Sequence, residues 1–127
     1  MGLSRGLEVA LAAAELSTAP RVARRMGAAL FVGPRLLSIG YNRWHTHPQS
    51  DNGEFCRTLH AEHTALLRRQ HYDPLKGNLT LYVGRRLANG AVGNSEPCNN
   101  CIKLSKVAGV KRIVYFNKTG QPAVLTL

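Results

Sequence analysis

Apolar residues recur at helical spacing in the first stretch of the chain: Leu3, Leu7, Ala10, Leu11 and Ala14. With alanine, the best helix former, so frequent, this predicts a helix over about residues 3–16. Ser17-Thr18-Ala19-Pro20 ends it, because the residue before proline avoids the α region. Arg21, Arg24 and Arg25 then form a short basic connection. The apolar run 27–32 predicts a strand, Gly33-Pro34 a turn, and 35–42 the antiparallel return strand. Residues 43–57 are polar and irregular, which predicts a long surface loop of the kind that usually has a function. A helix is predicted from Thr58 or Leu59 to about His71, with Thr58 as its cap and Asp73-Pro74 as its stop. Residues 79–84 predict a strand and 85–96 a loop. Pro97 suits the first turn of a helix that runs over 98–107 and ends at Ala108-Gly109. Residues 111–116, a turn at 117–120 and residues 122–125 complete the chain as strand, turn and strand.

The predicted order is α-β-β-α-β-α-β-β. Its alternating second half argues for a largely parallel sheet covered by helices. At 127 residues the chain is one domain, 1–127, without repeat, linker or low-complexity tract, and large enough for a real core. The apolar fraction, 44%, is ordinary, and no apolar run reaches the roughly 20 residues of a membrane span, so no membrane is expected as a partner. Glu8 and Glu15 interrupt the Ala/Leu-rich start, which fits an amphipathic helix better than a signal peptide. Gly2 is followed by Gly6 where a myristoylation motif needs Ser or Thr. The expected compartment is the cytoplasm.

Charge changes the picture more than composition does. Seventeen Lys and Arg stand against seven Asp and Glu, a formal +10, which favours anionic partners: nucleotide phosphates, RNA or single-stranded DNA. Net charge does not separate a mononucleotide from a polynucleotide, and many small basic proteins are simply soluble that way.

Chemistry concentrates in two short motifs. In Pro97-Cys98-Asn99-Asn100-Cys101, two cysteines at i and i+3 open a predicted helix, so both sulfurs can reach one metal. In His60-Ala61-Glu62, a histidine near the start of another helix can supply a third ligand. Three protein ligands leave the fourth position of tetrahedral Zn²⁺ open for water, as a catalytic zinc requires. Glu62 can handle protons without being a ligand. His-x-Glu alone is weak and Cys-x-x-Cys alone is moderate, with a redox pair or a structural zinc site as rivals. Both together, in this order and at two helix starts separated by a strand, are specific. Cys56 is a small buried or half-buried thiol; as a fourth zinc ligand it would close the site. His45 and His47 face solvent or substrate rather than metal.

With these motifs the chain resembles the cytidine deaminase-like superfamily of zinc deaminases. The likeness runs from the first hairpin to Tyr115-Phe116. Gly40-Tyr41-Asn42 and the stretch from Cys101 through Gly109 to Tyr115 are similar to its deoxycytidylate deaminase and tRNA-adenosine deaminase branch. The resemblance implies a three-layer α-β-α sandwich with a five-stranded mixed sheet. It implies Zn²⁺ on His60, Cys98 and Cys101, and Glu62 as the group that moves protons from water to the ring nitrogen and the leaving amine. It further implies that Asn42 contacts the sugar, that the Ala61 N–H meets the base carbonyl, and that the Glu96 carbonyl meets the amine. Self-association is also expected by resemblance.

The first candidate activity is deamination of a cytosine nucleoside or nucleotide, deoxycytidylate or cytidine. The second is deamination within a polynucleotide, at tRNA adenosine or single-stranded cytosine. Arg43 directly after Asn42 resembles the tRNA enzymes, and Tyr41 and Trp44 can stack on bases. Arg43 also stands where the deoxycytidylate enzymes would carry glycine. A third candidate is a silent, basic zinc module that binds nucleic acid, which would have no need of Glu62.

Overall fold

The computed structural model describes residues 2–16, 25–41, 43–44, 58–59, 65, 79–87 and 91–127. In chain order the elements are α1 (Gly2–Ala14), β1 (Arg25–Val32), β2 (Arg35–Tyr41), β3 (Arg43–Trp44), β4 (Thr58–Leu59), β5 (Leu79–Arg86), α2 (Asn99–Val107), β6 (Val110–Phe116) and β7 (Pro122–Thr126). Five strands form one sheet in the order β2-β1-β5-β6-β7, and β3 and β4 form a separate pair.

The sheet is mixed rather than largely parallel. Only β5 and β6 run parallel; β1–β2, β1–β5 and β6–β7 are antiparallel. The reason lies in the connections. β5-α2-β6 is the one described crossover carried by a helix, and the hairpins at residues 33–34 and 117–121 each add an antiparallel neighbour. At the first hairpin Gly33 takes φ +56, the left-handed conformation that glycine adopts most cheaply.

Alternation along the strands feeds two clusters, one on each face. Leu7 and Ala10 of α1 pack on Ala29, Phe31, Tyr82, Val114 and Phe116. The Phe31 and Tyr82 rings meet edge to face, with centroids 5.3 Å apart. The opposite cluster holds Ala28, Leu30, Leu79, Leu81, Val83, Val110 and Ile113, together with Ala65 and, from α2, Ile102. Residues 28–31 are buried without a break because β1 is covered on both faces, which explains their continuous apolar run.

α1 lies unusually close to the sheet. A Cβ on Gly27 would stand 2.1 Å from the Ala10 carbonyl oxygen and 2.3 Å from the Ala14 nitrogen. Small residues on both elements, Ala10, Ala13 and Ala14 against Gly27, permit that approach. Arg5 of α1 reaches over the Phe31 ring, 5.6 Å from its centroid, and donates to the Pro34 carbonyl at 3.0 Å.

Among the boundaries that differ from the sequence expectation, four stand out. Arg25 opens β1 instead of closing a connection, and β5 continues to Arg86. Arg43–Trp44 is a strand rather than the start of a loop. Thr58–Leu59 is a strand rather than a helix start, so Thr58 is no helix cap. The last two have one cause: Arg43 pairs with Leu59 and Trp44 with Thr58, and pairing overrides the local pattern. Ala65, inside the predicted second helix, is helical and fully buried. The predicted loop 45–57 and the rest of that helix lie outside the described residues.

Candidate metal centre and active site

α2 begins with Asn99, and Cys98 is its N-cap in extended conformation (φ −77, ψ 166). Pro97 therefore stands one residue before the cap, not in the first turn, and is buried. The Cys98 carbonyl accepts the first helical hydrogen bond, from the Ile102 N–H at 3.0 Å, while its side chain makes no capping bond. Cys98 is exposed and Cys101, one turn further, is fully buried; neither is in a disulfide. At the far end Ala108 caps the helix, and Gly109 follows at φ +93 with its N–H on the Lys106 carbonyl.

Two thiols at one helix N-terminus, one on the surface and one sealed beneath it, suit the donor set of a zinc ion. No three His, Cys, Asp or Glu side chains gather among the described residues; His60, the third candidate ligand, lies outside them. Asn42, Ala61 and Glu62 also lie outside them. Asn42 directly precedes Arg43 and His60 directly follows Leu59, and Arg43 and Leu59 are partners across the β3–β4 pair. On the sheet, the helical residue Ala65 shares its cluster with Ile102 of α2, and the Ser38 hydroxyl of β2 donates to the Ala65 carbonyl at 2.7 Å.

The segment leading to Cys98 is built on the carboxyl ends of β5 and β6. The parallel ladder between β5 and β6 ends at Tyr82 and Val114. Just beyond it, fully buried Ser95 enters between the two strands. Its hydroxyl donates to the Val83 carbonyl and accepts from the Phe116 N–H, both at 2.8 Å. Its own N–H donates to the Phe116 carbonyl at 2.8 Å. Ahead of it, the Gly93 N–H donates to the Arg85 carbonyl at 3.0 Å. The Glu96 N–H donates to Asn94 Oδ1 at 3.1 Å. Glu96 is exposed. Sequence reasoning missed Ser95: a serine in a loop of turn-forming residues carries no signal of burial.

Placing a site outside the carboxyl ends of parallel strands is the general rule for open α/β sheets. Comparisons with known proteins bear on the family and the fold. Residues 3–117 match the family described as "Cytidine and deoxycytidylate deaminase zinc-binding region". No curated protein matches the chain. Among solved structures, cytidine deaminase from Burkholderia pseudomallei is similar with a TM-score of 0.74 at 24% identity, covering 99% of this chain and 93% of that one. Cytidine deaminase from Mycobacterium leprae gives 0.65 at 24% identity, covering 99% and 93%. Deoxycytidylate deaminase from the cyanophage S-TIM5 gives 0.63 at 22% identity, covering 91% and 82%. At these identities the likeness establishes the shared fold, a five-stranded mixed sheet between helices.

Proposed function

The chain belongs to the cytidine and deoxycytidylate deaminase family, and on that premise we propose that it is a zinc-dependent hydrolytic deaminase. Its substrate is a cytosine nucleoside or nucleotide, cytidine or deoxycytidylate, and its products are the uracil compound and ammonia. One observation carries the proposal: the Cys98–Cys101 pair opens a helix at the carboxyl ends of β5 and β6, one cysteine exposed and one buried.

In this proposal Cys98, Cys101 and His60 hold the zinc. When bound, zinc would supply a Lewis acid that lowers the pKa of its water toward about 7. Glu62 would take the first proton of the attacking water and pass it to the ring nitrogen. It would then take the second, from the hydroxyl now on the ring carbon, and pass it to the amine, so that the carbonyl forms as the C–N bond breaks and ammonia leaves. Asn42 holds the sugar, the Ala61 N–H donates to the base carbonyl, and the Glu96 carbonyl accepts from the exocyclic amine. The Asn94 turn that engages the Glu96 N–H supports this use of the backbone at Glu96. Self-association is part of the proposal; Val107 (88% exposed) and Leu104 offer apolar surface for it on the outer side of α2, and sedimentation velocity tests it. No helix among the described residues is long and apolar enough to cross a membrane, and a cytoplasmic setting is proposed with the substrate class.

The test is ammonia release from cytidine, deoxycytidylate and a short single-stranded DNA. Release from either of the first two, lost on chelation and restored by Zn²⁺, is expected. Release from neither refutes the proposal.

A second reading, action on a polynucleotide, is favoured by one feature. Residues 97–127 carry five Lys or Arg and no Asp or Glu, and Lys103, Lys106, Lys111, Arg112 and Lys118 are all exposed. Release from the single strand alone, with binding that weakens steeply as salt rises, would select that reading. Binding without any release would select a silent module.

A further inference from the structure

The segment between the sheet and Cys98 has little slack. Ser95 is fixed by three hydrogen bonds of 2.8 Å at a point where it has no access to water. Glu96 is held by Asn94, and Pro97 is buried with its φ fixed by its ring. Cys98 then caps α2. Two residues, Glu96 and Pro97, thus separate a rigid anchor from an exposed thiol, one held by a hydrogen bond to its N–H and the other by its ring. The anchor is also unusual in kind. The ladder between β5 and β6 has already ended at Tyr82 and Val114, so the Val83 carbonyl and the Phe116 N–H are satisfied by a side chain rather than by each other's strand.

We infer that Ser95 is a positioning residue: its hydroxyl, seated between the carboxyl ends of β5 and β6, sets where Cys98 and the Glu96 carbonyl stand over the sheet. The inference rests on the deaminase proposal for what those two groups do, but not for where they are. Removing the hydroxyl breaks two of the three bonds at Ser95 and leaves only its N–H on the Phe116 carbonyl, which loosens the hold of the sheet on the chain between Ser95 and Cys98. The metal then has to order Cys98 at its own expense, and its affinity falls. Partners that orient metal ligands in this way are typically worth about 10–100-fold in affinity.

The experiment compares the wild type with Ser95→Ala, Ser95→Thr and Val114→Ala. Val114 is buried in the α1-side cluster, so its truncation lowers stability without touching the segment before Cys98. Zn²⁺ affinity is measured by chelator competition at 25 °C on variants shown to be folded by circular dichroism. Amide hydrogen exchange over residues 93–101 is followed in the metal-free proteins. The expected result is a zinc affinity about 10–100-fold weaker in Ser95→Ala, with faster exchange across 93–98. Ser95→Thr, which keeps the hydroxyl, restores affinity, and Val114→Ala leaves it unchanged. Native affinity and exchange in Ser95→Ala overturn the inference while leaving the deaminase proposal standing. An equal loss in Val114→Ala also overturns it, because the effect is then one of stability alone. A wild type that binds no zinc and releases no ammonia refutes the deaminase proposal and this inference together. Should Ser95→Ala not fold, Asn94→Ala tests the same link through the Glu96 N–H. A severalfold weaker affinity supports the inference, and native affinity overturns it.

Discussion

Replacing Gly27 by alanine adds one methyl group, and the structure says it has nowhere to go. That Cβ would stand 2.1 Å from the Ala10 carbonyl oxygen, 2.3 Å from the Ala14 nitrogen and 2.8 Å from the Ala13 carbonyl carbon. All three atoms are backbone, so no side-chain rotation relieves them. Restoring an ordinary 3.4 Å contact requires α1 to retreat by about 1.3 Å. A gap of that size forfeits much of the dispersion between α1 and the Phe31, Tyr82 and Val114 face, since even 0.5–1 Å loses roughly a quarter to a half of each contact. Overpacking of this kind costs about 3 kcal/mol, the upper end of its usual range, because the obstruction is main chain. At about 4 °C per kcal/mol for a domain of this size, Tm falls by about 12 °C.

Urea and thermal unfolding measure the effect. Gly33→Ala is the control: a Cβ there meets open space, and only its φ of +56 opposes the change. That strain is worth about 1 kcal/mol, partly offset by the lower entropy of the unfolded chain. Because α1 covers the face opposite Cys101, folded Gly27→Ala protein should keep its turnover per molecule. A Gly27→Ala variant within about 0.5 kcal/mol of the wild type, or one less harmed than Gly33→Ala, would refute the close approach of α1 to β1.

Three further outcomes are expected. Cys98→Ser loses zinc, and elemental analysis that still finds a full equivalent removes Cys98 from the ligand set. Glu62→Ala keeps zinc and fold but has no detectable turnover; ammonia release at the native rate by zinc-replete variant shows that Glu62 is not the proton carrier. Ser38→Ala removes the hydroxyl that donates to the Ala65 carbonyl and costs about 1 kcal/mol by urea unfolding. A loss below about 0.3 kcal/mol there would mean that water replaces the bond without penalty.

Much of the fold was legible because it rests on periodicity. Leu7 and Ala10 recur on one helical face and fall on one cluster, and the apolar run 27–32 lies in a strand covered on both sides. The turn at Gly33-Pro34 and the stop at Ala108-Gly109 follow from backbone chemistry that glycine and proline announce. What was not legible depends on partners far away in sequence. Thr58 has the makings of a helix cap until Trp44 pairs with it. The direction of β1 against β5 is set across more than forty residues, so the helical alternation around β5 overstated the parallel character of the sheet. At the site, the two cysteines at i and i+3 signalled their own shared helix end. Ser95 did not signal its role, because its three bonds reach Val83 and Phe116, and neither is near it in the chain.

The sheet separates two jobs. On one side a smooth helix rests almost flush against glycine and alanine and contributes cohesion; on the other a second helix offers its thiols. Each side can therefore be altered on its own terms. Heat tolerance can be raised or lowered by substitutions under the first helix, such as at Leu11, which sits over Gly84, without retuning the chemistry on the far side.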